Sequence, residues 1–144
     1  MAGKTRTLHH APLKDVHPFV SKHYRYAVVG ASENPSKYGH IVFFDLKNAG
    51  FAVTPVHPTM KQLGDIPAAP SLRHLVGSVD VAVVVVPPTI GLEVLDDAQA
   101  AGIMKLWFQP GAQSLEIHEK AARLGLDVVD DGSCIMVARR LFNL

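Results

Sequence analysis

The chain has 144 residues, 48% of them hydrophobic, with 14 Lys plus Arg against 13 Asp plus Glu and a single cysteine. That is the length of one ordinary domain, able to bury roughly two thirds of its unfolded surface, and its charge balance excludes the long-range field that draws a protein onto nucleic acid or anionic lipid. Cys134 alone cannot form an internal disulfide, the N-terminus has no apolar segment behind its charges, and the longest apolar run, Val81 to Pro88, is too short to cross a bilayer, so a soluble cytoplasmic protein is expected.

Residues 1–23 form a polar, basic, His-containing lead-in, in which Leu13, Val16 and Val20 recur at helical spacing behind Pro12 and predict a short helix to Val20. The domain proper, 24–144, begins with a strand at Tyr26-Ala27-Val28-Val29. A helix is predicted from Tyr38 to Ala49, with Ile41, Phe44, Asp45 and Leu46 setting an apolar stripe beside a polar face and Gly50 just past the end. Phe51 to Val56 is the second strand. After a loop broken by Gly64 and Pro67, Pro70 to Val76 is expected as a short helix, and Asp80 to Val86 as the third strand. That strand is a run of apolar residues, mostly valine, with no polar face, as in a central parallel strand covered on both sides. Thr89 is placed to cap a helix to Ala101 closed by Gly102. Lys105 to Gln109 is the fourth strand, Ser114 is placed to cap a helix to Leu124 closed by Gly125, and Asp127-Val128-Val129 is the fifth strand.

Strands alternating with helices predict an α/β fold: a Rossmann-like, doubly wound, mostly parallel five-stranded sheet with helices on both faces, because parallel neighbours need helical crossovers. Ligands of such sheets bind beyond the C-terminal strand ends. The loops there are Gly30 to Lys37, Pro55 to Lys61, Val86 to Thr89, Gln109 to Ser114 and Asp130 to Cys134.

The first of these loops leaves its strand at Gly30, where a missing side chain admits a ligand to the backbone, and passes Ala31 and Ser32 before a helix start whose N–H groups and dipole favour phosphate. Lys37 adds a full positive charge. A dinucleotide fingerprint needs glycine at its first, third and sixth positions and an acid at the end of the second strand, whereas this chain has Gly30, Ser32 and Pro35, and then Thr54-Pro55-Val56-His57-Pro58. A 3′-phosphorylated ADP group, as in coenzyme A, suits His57 or Lys61 better than a plain NAD ribose does. An NAD(P)-dependent enzyme or redox-sensing domain is the alternative.

Val29-Gly30-Ala31-Ser32, Asn34-Pro35, Lys37, Gly39 and Pro55-Val56-His57-Pro58, followed by Val86-Pro87-Pro88, Trp107-Phe108-Gln109-Pro110-Gly111 and Cys134-Ile135-Met136, resemble the small CoA-binding protein family. That family is similar to the N-terminal domain of the succinyl-CoA synthetase α subunit, and the resemblance runs from Tyr24 to the C-terminus. It implies that Gly30, Ala31, Ser32, Asn34, Pro35 and Lys37 hold the pyrophosphate of CoA or acyl-CoA, that Pro55, His57, Pro58, Val86 and Pro87 flank the adenosine, and that Gln109 lies toward the pantetheine arm. Two positions depart from the family pattern: His57 stands where an asparagine is usual, and Ser133 where an arginine commonly precedes the cysteine.

In the synthetases that share this domain, catalysis uses a phosphorylatable histidine from a following domain and a nucleotide-grasping subunit, and this chain is expected to hold neither. No catalytic residue and no metal site is expected, since its eight histidines lack metal-ligand spacing or an Asp-Ser arrangement. Cys134, at the ligand edge of the sheet, could meet a CoA thiol or disulfide; the blander expectation is a buried small hydrophobe. Trp107 and Phe108 read as core aromatics. The partner expected is a small nucleotide, with no nucleic acid or membrane; a homo-oligomer, or a partner protein that supplies catalysis, is compatible with the sequence.

Overall fold

The computed structural model describes residues 18–144. The helix expected from Pro12 falls largely outside the described residues; its final residues, Phe19 and Val20, are buried against the domain. In chain order the elements are β1 (Arg25–Val29), α1 (Tyr38–Asn48), β2 (Ala52–Val56), β3 (Gln62–Leu63), β4 (Ile66–Pro67), a 3-10 turn (Leu72–His74), β5 (Val81–Val84), α2 (Pro88–Ala101), β6 (Lys105–Phe108), α3 (Leu115–Leu124), β7 (Asp127–Val129) and α4 (Ile135–Leu141).

Five strands form one parallel sheet in the order β2-β1-β5-β6-β7. All four residues of β5 are buried, as its unbroken apolar run predicts. Side chains alternate across the pleat and divide the core in two. Ala27, Val29, Ala82 and Val84 face α2 and α3, where they meet Val94, Leu95, Ala98, Ile117 and Ala121. Tyr26, Val28, Val81 and Val83 face α1 and α4, where they meet Val42, Phe43, Leu46, Ile135 and Ala138. The result is the doubly wound, Rossmann-like sheet that the alternation predicts. Among the described residues no helix is long and apolar enough to cross a membrane.

Local chemistry sets most of the boundaries. Ser114 caps α3 by accepting from the Ile117 amide, and Gly102 and Gly125 take left-handed conformations at the ends of α2 and α3. Other expectations need correction. The buried stripe of α1 is Gly39, Val42, Phe43 and Leu46, while Ile41 is exposed, so the helix is rotated from the predicted face. Burying Leu46 completely stabilises by about 1.5–3 kcal/mol. Pro88, not Thr89, opens α2: a proline at the first helical position lacks the N–H that would need a cap. The segment after Pro70 makes only the 3-10 turn, in which Leu72 alone is buried, too little to repay nucleation of a longer helix. The Gly64 loop is a small antiparallel hairpin, β3 with β4. Helix α4 was not anticipated; Arg139 and Arg140 in its last turn both bond Asp45 of α1, which ties it to the sheet's face.

The chain steps outward from β1 to β2 and then returns past β1 to β5. The connections after β1 and β5 therefore diverge, and a crevice opens between them at the C-terminal edge of the sheet.

Candidate functional site

Gly30 sits at that divergence. Its N–H donates to the Val56 carbonyl (3.1 Å), its φ is +95°, and a Cβ there would lie 2.5 Å from the Val85 oxygen. Only glycine fits so close to β5 in that conformation. Gly39, in the first turn of α1, is held more tightly still, since a Cβ on it would fall 1.9 Å from the Gly30 oxygen. In a dinucleotide fold the third fingerprint glycine allows close helix–strand packing. Here Gly39 does that work from inside the helix, although the sixth position is Pro35.

The rest of the turn is closed by its own side chains. His40 Nδ1–H donates to the Ser32 carbonyl (2.8 Å), Ser32 Oγ accepts from the Asn34 amide (3.1 Å), and Asn34 Oδ1 accepts from the amide and hydroxyl of Ser36 (3.0 and 2.8 Å). Lys37 is the N-cap residue of α1 but its side chain caps nothing. The amides of Ala31, Ser32, Tyr38 and Gly39 have no acceptor, and the Lys37 ammonium no anionic partner, among the described residues. A helix start with open N–H groups and a free cation has the chemistry to receive an anion.

This turn lines a cleft of about 700 Å³. Val56 at the end of β2 with His57 and Pro58 after it, Pro70 to Leu72, Val85 and Val86 after β5, and the Ile90–Glu93–Val94–Asp97 stripe of α2 complete its walls. His57 Nδ1 accepts from the amides of Thr59 (3.1 Å) and Met60 (3.0 Å), the bonds an asparagine oxygen would take at that position. The ring proton consequently sits on Nε2, which is a donor available to a ligand in the cleft.

A second cluster lies at the start of α4. Gln109 is fully buried: its Oε1 accepts from the Ile135 amide (2.8 Å), and its Nε2 donates to Tyr38 Oη (3.1 Å) and Cys134 Sγ (3.3 Å). Tyr38 Oη lies 3.3 Å from the same sulfur. Burial alone would push the Cys134 thiol up, but the Tyr38 hydroxyl, the Gln109 amide and the Val137 and Met136 amides outweigh it and bring the thiol below its ordinary value. Burial, followed by the adjacent thiol, pushes the Tyr38 hydroxyl up to about 12. Cys134 is thus a half-buried, hydrogen-bonded thiol and not an inert hydrophobe. Trp107 is a core aromatic whose Nε1–H donates to the Ser133 carbonyl (2.9 Å). Among the described residues no group of three His, Cys, Asp or Glu is placed to hold a metal.

Of the residues expected at the site, Gly30, Ala31, Ser32, Lys37, His57, Pro58 and Val86 line the cleft. Asn34 and Pro35 shape the turn from outside, Pro55 is buried in β2 opposite Val28, and Pro87 is the N-cap of α2. Gln109 lies off the cleft wall, since its polar atoms are used by Cys134, Tyr38 and Ile135. Tyr38, Ser71 and the α2 stripe join the cleft without having been expected there. The α2 residues carried a signal in their i, i+3, i+4, i+7 spacing on the helix that follows the central strand.

Residues 24–140 match the CoA binding domain family. The chain belongs to that family. A conserved hypothetical protein from Pyrococcus furiosus of known structure is 46% identical, superposes with a TM-score of 0.76, and is covered over 97% of its length by 79% of this chain. An uncharacterized Bacillus subtilis protein, YneT, is 29% identical over 114 residues, which are 79% of this chain and 84% of YneT. The α subunit of the ADP-forming acetate–CoA ligase II of P. furiosus is 35% identical over 78 residues, which are 54% of this chain but 17% of that subunit. The CoA-binding domain is thus a unit found both in small proteins and inside much longer ligases.

Proposed function

We propose that this protein binds coenzyme A or an acyl-CoA in the cleft at the C-terminal edge of its sheet, and does so as a binding protein rather than as an enzyme. One observation carries the reading: the open amides of Ala31, Ser32, Tyr38 and Gly39 and the unpaired Lys37 ammonium belong to residues that line one cleft together with His57. The amides and Lys37 receive the pyrophosphate, with charge-assisted bonds to an anion. His57 and the β2 loop lie beside the 3′-phosphorylated ribose, and the pantetheine arm leaves along Val85, Val86 and Ile90. Membership of the CoA-binding domain family supports the same ligand.

The cleft's chemistry favours binding over catalysis. Ser71 Oγ meets His74 Nδ1 at 3.2 Å, but it also accepts from the Arg73 amide, and no carboxylate orients His74 among the described residues. A nucleophile needs a base that is itself held in place. Isothermal titration with CoA, dephospho-CoA and NADP tests the proposal. CoA should bind, and more tightly than either of the others; no binding at millimolar CoA, or indifference to the 3′-phosphate, would contradict it.

A further inference from the structure

Tyr38 faces two ways. It is the first residue of α1, its amide is open, and it lines the cleft. Its Oη meets Cys134 Sγ (3.3 Å) and accepts from Gln109 Nε2 (3.1 Å), so one side chain belongs both to the cleft and to the thiol cluster at the start of α4. Burial opposes the thiolate there, but the Tyr38 hydroxyl, the Gln109 amide and the Val137 and Met136 amides outweigh it. The half-buried sulfur is therefore prepared to carry a negative charge a single side chain away from the open helix start.

A phosphate seated at the start of α1 brings negative charge to the backbone end of Tyr38 and neutralises Lys37, the residue before it. A tyrosine side chain is shorter than the screening length of physiological salt, about 8 Å, so a charge gained at one end is felt at the other. We propose that an anion bound at the start of α1 and a thiolate at Cys134 oppose each other across Tyr38, which makes the cleft and the thiol one coupled unit. A bound ligand quiets the thiol, and an ionised thiol loosens the ligand by the same factor, because coupling between two sites is reciprocal. The other charged groups on the elements that meet at the sulfur are already engaged. Arg139 and Arg140 of α4 bond Asp45 of α1, and His40 of α1 bonds the Ser32 carbonyl. After β7, Asp130 is paired with His118, and Asp131 accepts from the Ser133 amide. Next to the sulfur β6 leads into the neutral Gln109, while Lys105, at the other end of that strand, lies over the Phe19 ring. The ligand's phosphates are thus the charge that changes. This proposal rests on the anion reading of the α1 start, but concerns a thiol outside the cleft wall and no part of the ligand beyond its phosphates.

The chain has one cysteine, so alkylation reads Cys134 alone. The test measures the rate of alkylation by iodoacetamide across pH for the full chain alone, with inorganic pyrophosphate, and with desulfo-CoA, which brings no thiol of its own; calorimetry establishes the binding of each separately. Saturating ligand should raise the pH midpoint by about half a unit or more. In the reciprocal arm, the affinity for desulfo-CoA should fall about threefold more in wild type than in Cys134→Ser as the pH rises through the thiol's midpoint. The alkylation arm needs no variant, and unchanged thermal melting confirms that Cys134→Ser is folded. A lower plateau rate at high pH with an unmoved midpoint is simple shielding and overturns the proposal, as does the same pH dependence of affinity in wild type and Cys134→Ser. Either result, obtained with desulfo-CoA bound, leaves the CoA reading standing. Pyrophosphate that binds and moves the midpoint, with no binding of desulfo-CoA, supports the coupling and removes the CoA reading instead. Failure of both probes to bind overturns both.

Discussion

Two helix starts on the same face of the sheet, α1 and α4, solve the same problem in opposite ways. Neither N-cap residue, Lys37 or Cys134, caps with its side chain. At α4 the donors are satisfied from within, because the buried Gln109 takes the Ile135 amide and the Cys134 sulfur collects the Tyr38 and Gln109 donors. At α1 the helix is pushed against Gly30 through Gly39, the turn is locked by His40 and Asn34, and the amides and the Lys37 charge are left open. Helix ends leave backbone groups unsatisfied by their nature. A closed end stabilises the fold, and an open, rigid one is what a ligand's phosphates can use.

Substitutions should separate these roles, and the largest effect belongs to the packing that holds the open end in place. Gly39→Ala drives a methyl into the Gly30 carbonyl and should destabilise by roughly 3 kcal/mol or more, measured by urea unfolding, with loss of CoA binding. Gln109→Leu should cost about 2 kcal/mol in the same assay, because it orphans the Ile135 amide. Its effect on CoA affinity should be small, since Gln109 lies off the cleft wall. Lys37→Ala should show the reverse pattern: an unchanged melting temperature, and CoA affinity weaker by about 1–2 kcal/mol, close to tenfold. An unchanged affinity would remove Lys37 from the site.

The smallest effect is a matter of pH. Tyr38→Phe removes a donor from the Cys134 sulfur, so the thiolate is less favoured and the pH midpoint of alkylation should move upward. The sign for stability follows from the thiol being held below its ordinary value. Its contribution is complete above the unfolded thiol's pKa and is lost as the pH falls through the folded one. In Tyr38→Phe that contribution should be smaller and its loss complete at a higher pH. A midpoint that does not move would show that Gln109 and the α4 amides hold the thiolate without Tyr38.

The same contrast explains what could be read from the chain. The sheet was legible because Val81 to Val84 and the Ser114, Gly102 and Gly125 caps are local signals whose meaning does not depend on distant residues. So was the open end, because Gly30, Ser32 and Lys37 are neighbours in sequence. Helix α4 was missed because it is seven residues long and its start is capped from Gln109, remote along the chain. Gln109 was placed toward the ligand because loop position reports which edge of the sheet a residue occupies, and not which way its side chain turns. The α2 wall of the cleft needed the third dimension too, since Asp97 meets Arg73, and shares the cleft with Ser71, only after β2 and β5 have been set on either side of β1.

The open α1 start, and not the closed α4 start, is proposed to receive the ligand. Amide chemical shifts recorded by NMR during a titration with CoA test it most directly. Large shifts are expected at Ala31, Ser32, Lys37, Tyr38 and Gly39, with Ile135 and the Gln109 side-chain amide little moved. Shifts concentrated at Gln109, Cys134 and Ile135, with the Gly30 to Gly39 turn unchanged, would contradict it.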